Sequence, residues 1–157
     1  MIKISLLKFY LITFILSISF YSVGNTENEF PLDPAITYGK LENGFTYYIR
    51  ENQTPKDKVS IKLIIKAGSI MEEENQLGLA HLLEHMAFNG SKNFPKRKID
   101  EYMSSIGLNL GSHYNASAGF LETSYVYEIP TKNDKDVEVA LKILTDISKN
   151  LSLEPEA

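Results

Sequence analysis

The 157 residues contain no cysteine. That absence excludes thiol catalysis, disulfides, cysteine-held zinc and a lipid anchor on an N-terminal cysteine. Histidine is scarce too, with three in the chain. Basic residues are outnumbered, 16 Lys and Arg against 20 Asp and Glu, for a formal net charge of −4. With no Lys/Arg-rich patch to offset it, this balance argues against nucleic acid as a partner. The uncharged apolar run from Phe9 to Val23 has 15 residues, short of the roughly 20 apolar residues of a membrane span. Internal repeats are missing as well. What remains, 43% hydrophobic and 11% aromatic, is the composition of one globular core.

Residues 1–24 read as an export signal. Lys3 and Lys8 form a positive start, an uncharged apolar run follows, and Ser22-Val23-Gly24 places small residues where a signal is cut. An uncleaved anchor is the alternative, and membrane attachment is expected in that case alone. A periplasmic or extracellular location follows for residues 25–157.

Past a polar, proline-punctuated lead-in, Thr37–Leu41 and Phe45–Arg50 read as strands around Asn43-Gly44, two residues that both tolerate positive φ. A third strand is expected over Val59–Ala67, with Val59, Ile61, Leu63 and Ile65 on one face. The glutamate-rich stretch Met71–Gln76 reads as a solvated loop. Downstream, Lys96–Ile106 has Ile99, Tyr102, Met103 and Ile106 at helical spacing before Gly107. Leu108–Ser117 and Leu121–Ile129 look like strands, and Asp134–Asn150 like an amphipathic helix. The stripe of that last helix is Val137, Ala140, Leu141, Leu144 and Ile147.

Two of the three histidines fall in Gly78-Leu79-Ala80-His81-Leu82-Leu83-Glu84-His85-Met86-Ala87-Phe88, a segment of strong helix formers that Asn89-Gly90-Ser91 would close in a left-handed cap. At about 100° per residue, His81 and His85 lie one turn apart on one face, with Glu84 about 60° from His81. Two imidazoles so placed can close on one cation, and the carboxylate can reach a water held by it. The spacing His-x-x-Glu-His is a zinc-peptidase signature. Taken alone, the pattern also admits a plain ion pair on an apolar helix.

The blocks around it, in order, narrow the choice. Leu41-Glu42-Asn43-Gly44-Phe45, Ala67-Gly68-Ser69 with Glu72, Gly78 through Ser91, Asn115-Ala116 and Thr123-Ser124-Tyr125 together resemble the M16 family of zinc peptidases, the pitrilysin, insulinase and mitochondrial processing peptidase group. The resemblance runs from about Tyr38 to the C-terminus. It implies an α+β fold, an antiparallel-rich sheet with helices packed on one face, and residues 25–157 as the N-terminal, C-terminally incomplete part of an M16 peptidase domain. It implies Zn²⁺ held by His81 and His85, Glu84 as the catalytic proton acceptor, and Asn115 and Ala116 on an edge strand that binds extended polypeptide. His113 is expected beside that strand rather than on the metal. The family's third ligand, a glutamate on a later helix, is expected beyond Ala157, with Glu154 and Glu156 out of place for it. The expected partners are a peptide or polypeptide substrate and the remaining M16 domains. The expected function is zinc-dependent endopeptidase in the complete protein, this stretch being inactive alone; a non-catalytic M16-like partner or peptide-binding subunit is the alternative.

Overall fold

A computed structural model describes residues 31–153. The export segment and the two late glutamates lie outside the described residues. The chain divides into two compact units, one ending at Asn52 and the other beginning at Gln53.

The first unit holds a hairpin of β1 (Ile36–Lys40) and β2 (Thr46–Arg50), paired antiparallel with Tyr38 opposite Tyr48. Its turn differs from the expected two-residue form. The Gly44 N–H donates to Leu41 O, the Leu41 N–H donates to Phe45 O, and Gly44 alone takes positive φ, at +87°. Asn43 instead accepts the Phe45 N–H on its side-chain oxygen at 3.1 Å. This is a turn followed by a bulge, which needs one left-handed residue rather than two.

The second unit is built on a three-stranded antiparallel sheet in the order β3-β5-β4. The strands are β3 (Lys58–Ile65), β4 (Tyr114–Ala118) and β5 (Thr123–Pro130). Alternation decides which face is covered. Leu63, Tyr114, Tyr125, Tyr127 and Ile129 point into the core, while Ser60, Lys62, Ile64, Asn115 and Ser117 are exposed. Three helices supply the other half of that core: α1 (Leu79–Asn89) through Ala87, α2 (Lys98–Ser105) through Ile99 and Met103, and α3 (Asp134–Lys149) through Ala140, Ile143, Leu144 and Ile147. The expected α+β arrangement, with helices on one face, is the one observed.

Several boundaries move. Helix α2 starts at Lys98, not Lys96, because Lys96 and Arg97 adopt left-handed φ of 40° and 61°. It ends with Gly107 N–H on Ser104 O and Leu108 N–H on Met103 O, a paired closure that buries Leu108 beside Met103. Residues 108–113 are therefore irregular chain and turn, with a single bridge from Leu110 to Tyr114, and β4 begins only at Tyr114. Helix α1 does not end in a left-handed cap: Gly90 is extended, and Ser91 bridges to Leu151. In α3 the stripe is offset, with Leu141 exposed and Ile143 buried.

Candidate metal centre

Helix α1 presents two kinds of surface. Ala87 is fully buried and Phe88 packs near Tyr114 and Tyr125, with ring centroids 6.1 and 6.3 Å away. These anchor one side of the helix and turn His81 and His85 outward, both exposed. Glu84 lies between the two regimes, 8% exposed.

The three side chains converge as their spacing predicts. His81 Nε2 and His85 Nε2 are 3.1 Å apart, and the rings sit at 4.6 Å with a 47° tilt. A Glu84 carboxylate oxygen is 3.7 Å from His81 Nε2. One ligand atom from each of the three can be chosen so that all lie within 4.8 Å of one another. Two nitrogens bound to a tetrahedral ion at 2.0–2.1 Å would be about 3.3 Å apart. The imidazole pair thus has the bite of a zinc site, and the donor set of two neutral nitrogens beside a carboxylate fits that metal. Glu84 also acts inward: burial first, then the negative charge of Glu84, push the Tyr125 phenol up to about 12.

His113 stands just before β4, with Nδ1 accepting the Asn109 N–H at 3.1 Å, outside the cluster of His81, Glu84 and His85. Asn115 and Ala116 lie on β4, which pairs with β5 on one side and occupies the outside of the three-stranded sheet. Asn115 is exposed, while Ala116 packs against the core. A shallow cavity of about 240 Å³, lined by Asn75, Gln76, Leu77, Gly78, Leu79 and Leu82, opens beside the first turn of α1. A larger depression of about 340 Å³ on α2, lined by Arg97, Asp100, Glu101 and Ser104, contains none of these site residues.

One residue near the site was given no role by its type or spacing. The stretch read as a solvated acidic loop contains two short 3₁₀ turns, Ser69–Met71 and Glu74–Gln76, and between them Glu72 turns back to α1. Its carboxylate accepts the N–H groups of Gly78 and Ala80, each at 2.8 Å. Local capping signals span about three residues. A carboxylate reaching six and eight residues ahead leaves no such signature.

Comparison with known proteins places the chain in a family. Residues 47–157 match the family model described as insulinase, peptidase family M16. A probable zinc protease, PqqL, of Haemophilus influenzae is 38% identical over 129 residues, which is 82% of this chain and 14% of that protein. The crystal structure of the periplasmic protease PqqL from Escherichia coli superposes with a TM-score of 0.76 at 38% identity, over 79% of this chain and 14% of that one. The structure of the first half of the same protease gives 0.77 at 38% identity, over 79% of this chain and 26% of that one. This chain thus spans about one seventh of the length of the curated relative it matches. With the motif helix, the sheet and the matched stretch in agreement, the chain belongs to the insulinase family, peptidase family M16.

Proposed function

We propose that this chain carries the metal-holding and proton-handling part of a zinc endopeptidase site, acting on extended or unfolded polypeptide. One observation carries the reading: two imidazole nitrogens 3.1 Å apart on one helix, with a nearly buried carboxylate 3.7 Å from the first. His81 and His85 would hold the ion through Nε2. Zinc, when bound, lowers the pKa of a water toward about 7 and polarises the scissile carbonyl. Glu84 takes the proton from the attacking water on a carboxylate oxygen and passes it to the leaving amine as the C–N bond breaks. Its position beside His81, largely shielded from solvent, keeps it near the metal as a base rather than as a free surface charge.

Asn115 and Ala116 complete the reading on the substrate side. An outer strand has backbone donors and acceptors that an extended peptide can pair with, which gives affinity with little demand on side chains. Two imidazoles alone make a weak site, so tight binding calls for a third protein ligand; on this reading it comes from outside residues 31–153, as do the further M16 domains. The periplasmic location of the solved relative and the charged, then apolar N-terminus support export of this chain as well.

The test is zinc binding and hydrolysis of an unfolded polypeptide, in this chain and in the longest polypeptide its gene encodes. Glu84→Gln is expected to keep the zinc and lose hydrolysis by on the order of 10²–10⁴-fold. His81→Ala and His85→Ala are expected to lose the zinc. Undiminished hydrolysis in the Glu84 variant, or unchanged zinc affinity without His81, refutes the assignment. A polypeptide that binds peptide and zinc yet never cleaves would favour the non-catalytic alternative.

A further inference from the structure

The first turn of α1 brings no cap of its own. Its N-cap residue, Gly78, has no side chain and takes a left-handed φ of +91°, a conformation that glycine enters without a steric cost. The first N–H groups of a helix lack intrahelical acceptors. Here Glu72 supplies them from outside, with Oε2 accepting from Gly78 and Oε1 from Ala80. Both oxygens are engaged at once, and the negative charge lies against the positive end of the helix dipole. The two donors hold the Glu72 carboxyl below the usual carboxylate range.

Glu72 is itself held in place from behind. Its N–H donates to Ser69 O, and the Ser69 and Ile70 N–H groups donate to Gly119 O and Phe120 O in the β4–β5 connection. Gly68 lies so close to that connection that a Cβ there would sit 2.5 Å from Gly119 O. A chain of hydrogen bonds therefore runs from the end of the sheet through Glu72 to the Ala80 peptide, one residue before His81.

We infer that Glu72 is a positioning residue for the metal site, fixing the first turn of α1 against the sheet and thereby the angle at which His81 meets His85. This rests on the metal-site reading above. His81 is the third residue of the helix, within the turn that frays when its cap is lost, whereas His85 lies a turn deeper. Loss of Glu72 is felt first at His81.

The test follows the imidazole resonances of the full chain by NMR without metal, and then titrates Zn²⁺ alone, in the wild type, Glu72→Ala and Glu72→Gln. Glutamine offers one acceptor in place of two and no charge. In Glu72→Ala the His81 ring resonances should move toward those of a free exposed histidine, more than those of His85, while His113 stays unmoved. Glu72→Gln should fall between, and the apparent zinc Kd of Glu72→Ala should rise about tenfold. The core variant Ile143→Val, a non-specific destabilisation, should leave rings and zinc affinity unchanged. Identical ring resonances in the wild type and Glu72→Ala overturn the proposal, and so does Ile143→Val reproducing the change. Should Glu72→Ala fail to fold, the Glu72→Gln comparison decides by the same criterion. Should the wild type take up no zinc, the metal reading fails by itself, and the rings still report whether Glu72 positions His81.

Discussion

Asp146 keeps a charge inside the protein, 1% exposed, because its two oxygens are fully engaged. They accept the Ser91 hydroxyl, the Asn93 N–H and the Asn93 side-chain amide, each at 2.8 Å, and the Asn150 amide at 3.0 Å. Burial raises the carboxyl's pKa, but these donors outweigh it and bring it down to about 2. The folded state thus binds this proton less readily than the unfolded chain does. Its stabilisation is complete above about pH 4 and is lost as pH falls toward 2, an effect of roughly 2 kcal/mol. Urea unfolding between pH 2 and pH 6 should show that slope in the wild type and lose this part of it in Asp146→Asn. The variant, which points an amide at one or more donors, should be less stable at neutral pH by about 2–3 kcal/mol. At this scale the sequence is legible where chemistry is local. His81, Glu84 and His85 are neighbours by helical spacing, whereas Asp146 meets Ser91 and Asn93 across more than fifty residues and Glu72 reaches past a glycine into a later helix. No pattern in the chain marks Asp146, and Glu72 stands out only in the block with Ala67-Gly68-Ser69 that resembles the M16 family, with no sign of what it holds.

Helix α3 shows what periodicity gives at the level of an element and what it leaves open. A 3.6-residue repeat identifies the helix and the presence of an apolar stripe, and Ala140, Leu144 and Ile147 are buried as expected. It misplaces the centre of that stripe. Leu141 lies about 100° from Ala140 and Ile143 about 60° to the other side, and the polar residues Asp136 and Asp146 mask how far the buried side extends. Asp136 is buried because the Tyr102 hydroxyl donates to it at 2.8 Å; burial, then this carboxylate, push that phenol up to about 12. Thermal unfolding should separate the two apolar positions. Ile143→Ala is expected to cost about 2–5 kcal/mol by leaving a cavity, and Leu141→Ala within about 0.5 kcal/mol of nothing. Equal losses at the two sites would mean the helix is rotated from the position described. The strands follow the same logic: β3 and β5 were legible from alternation and β-branched or aromatic content. Residues 108–113 were overcounted as strand because Gly111, at φ +85°, turns the chain there.

For the molecule as a whole, the fold type was legible because the motif helix sits among strands whose alternation leaves one apolar face. The expectation of a third ligand beyond Ala157 came from the M16 resemblance and not from local spacing, since a ligand from a distant segment leaves no trace there. Among the described residues no helix is long and apolar enough to cross a membrane. Metal binding should register in overall stability, because a ligand that binds only the folded state stabilises it by mass action. Free zinc at 100 times its Kd should add about 2.7 kcal/mol and raise the melting temperature, and a chelator should reverse this. A melting temperature indifferent to zinc in the wild type, or equally responsive in His81→Ala, would show that the ion does not bind at α1.

The two ends of α1 are held by partners of unequal distance along the chain. Glu72 lies a few residues before it, while the loop after it is held by Asp146 and by the bridge between Ser91 and Leu151. Contacts across long separations close late, since the intervening chain must first be ordered. The leading end of the histidine helix relies on Glu72, six and eight residues ahead of its two donors, and through Ser69 and Ile70 on the β4–β5 connection, while its trailing end relies on partners more than fifty residues away. The spacing of the two imidazoles is thus set within one helical turn, while the loop that follows the helix is fixed by residues more than fifty positions away.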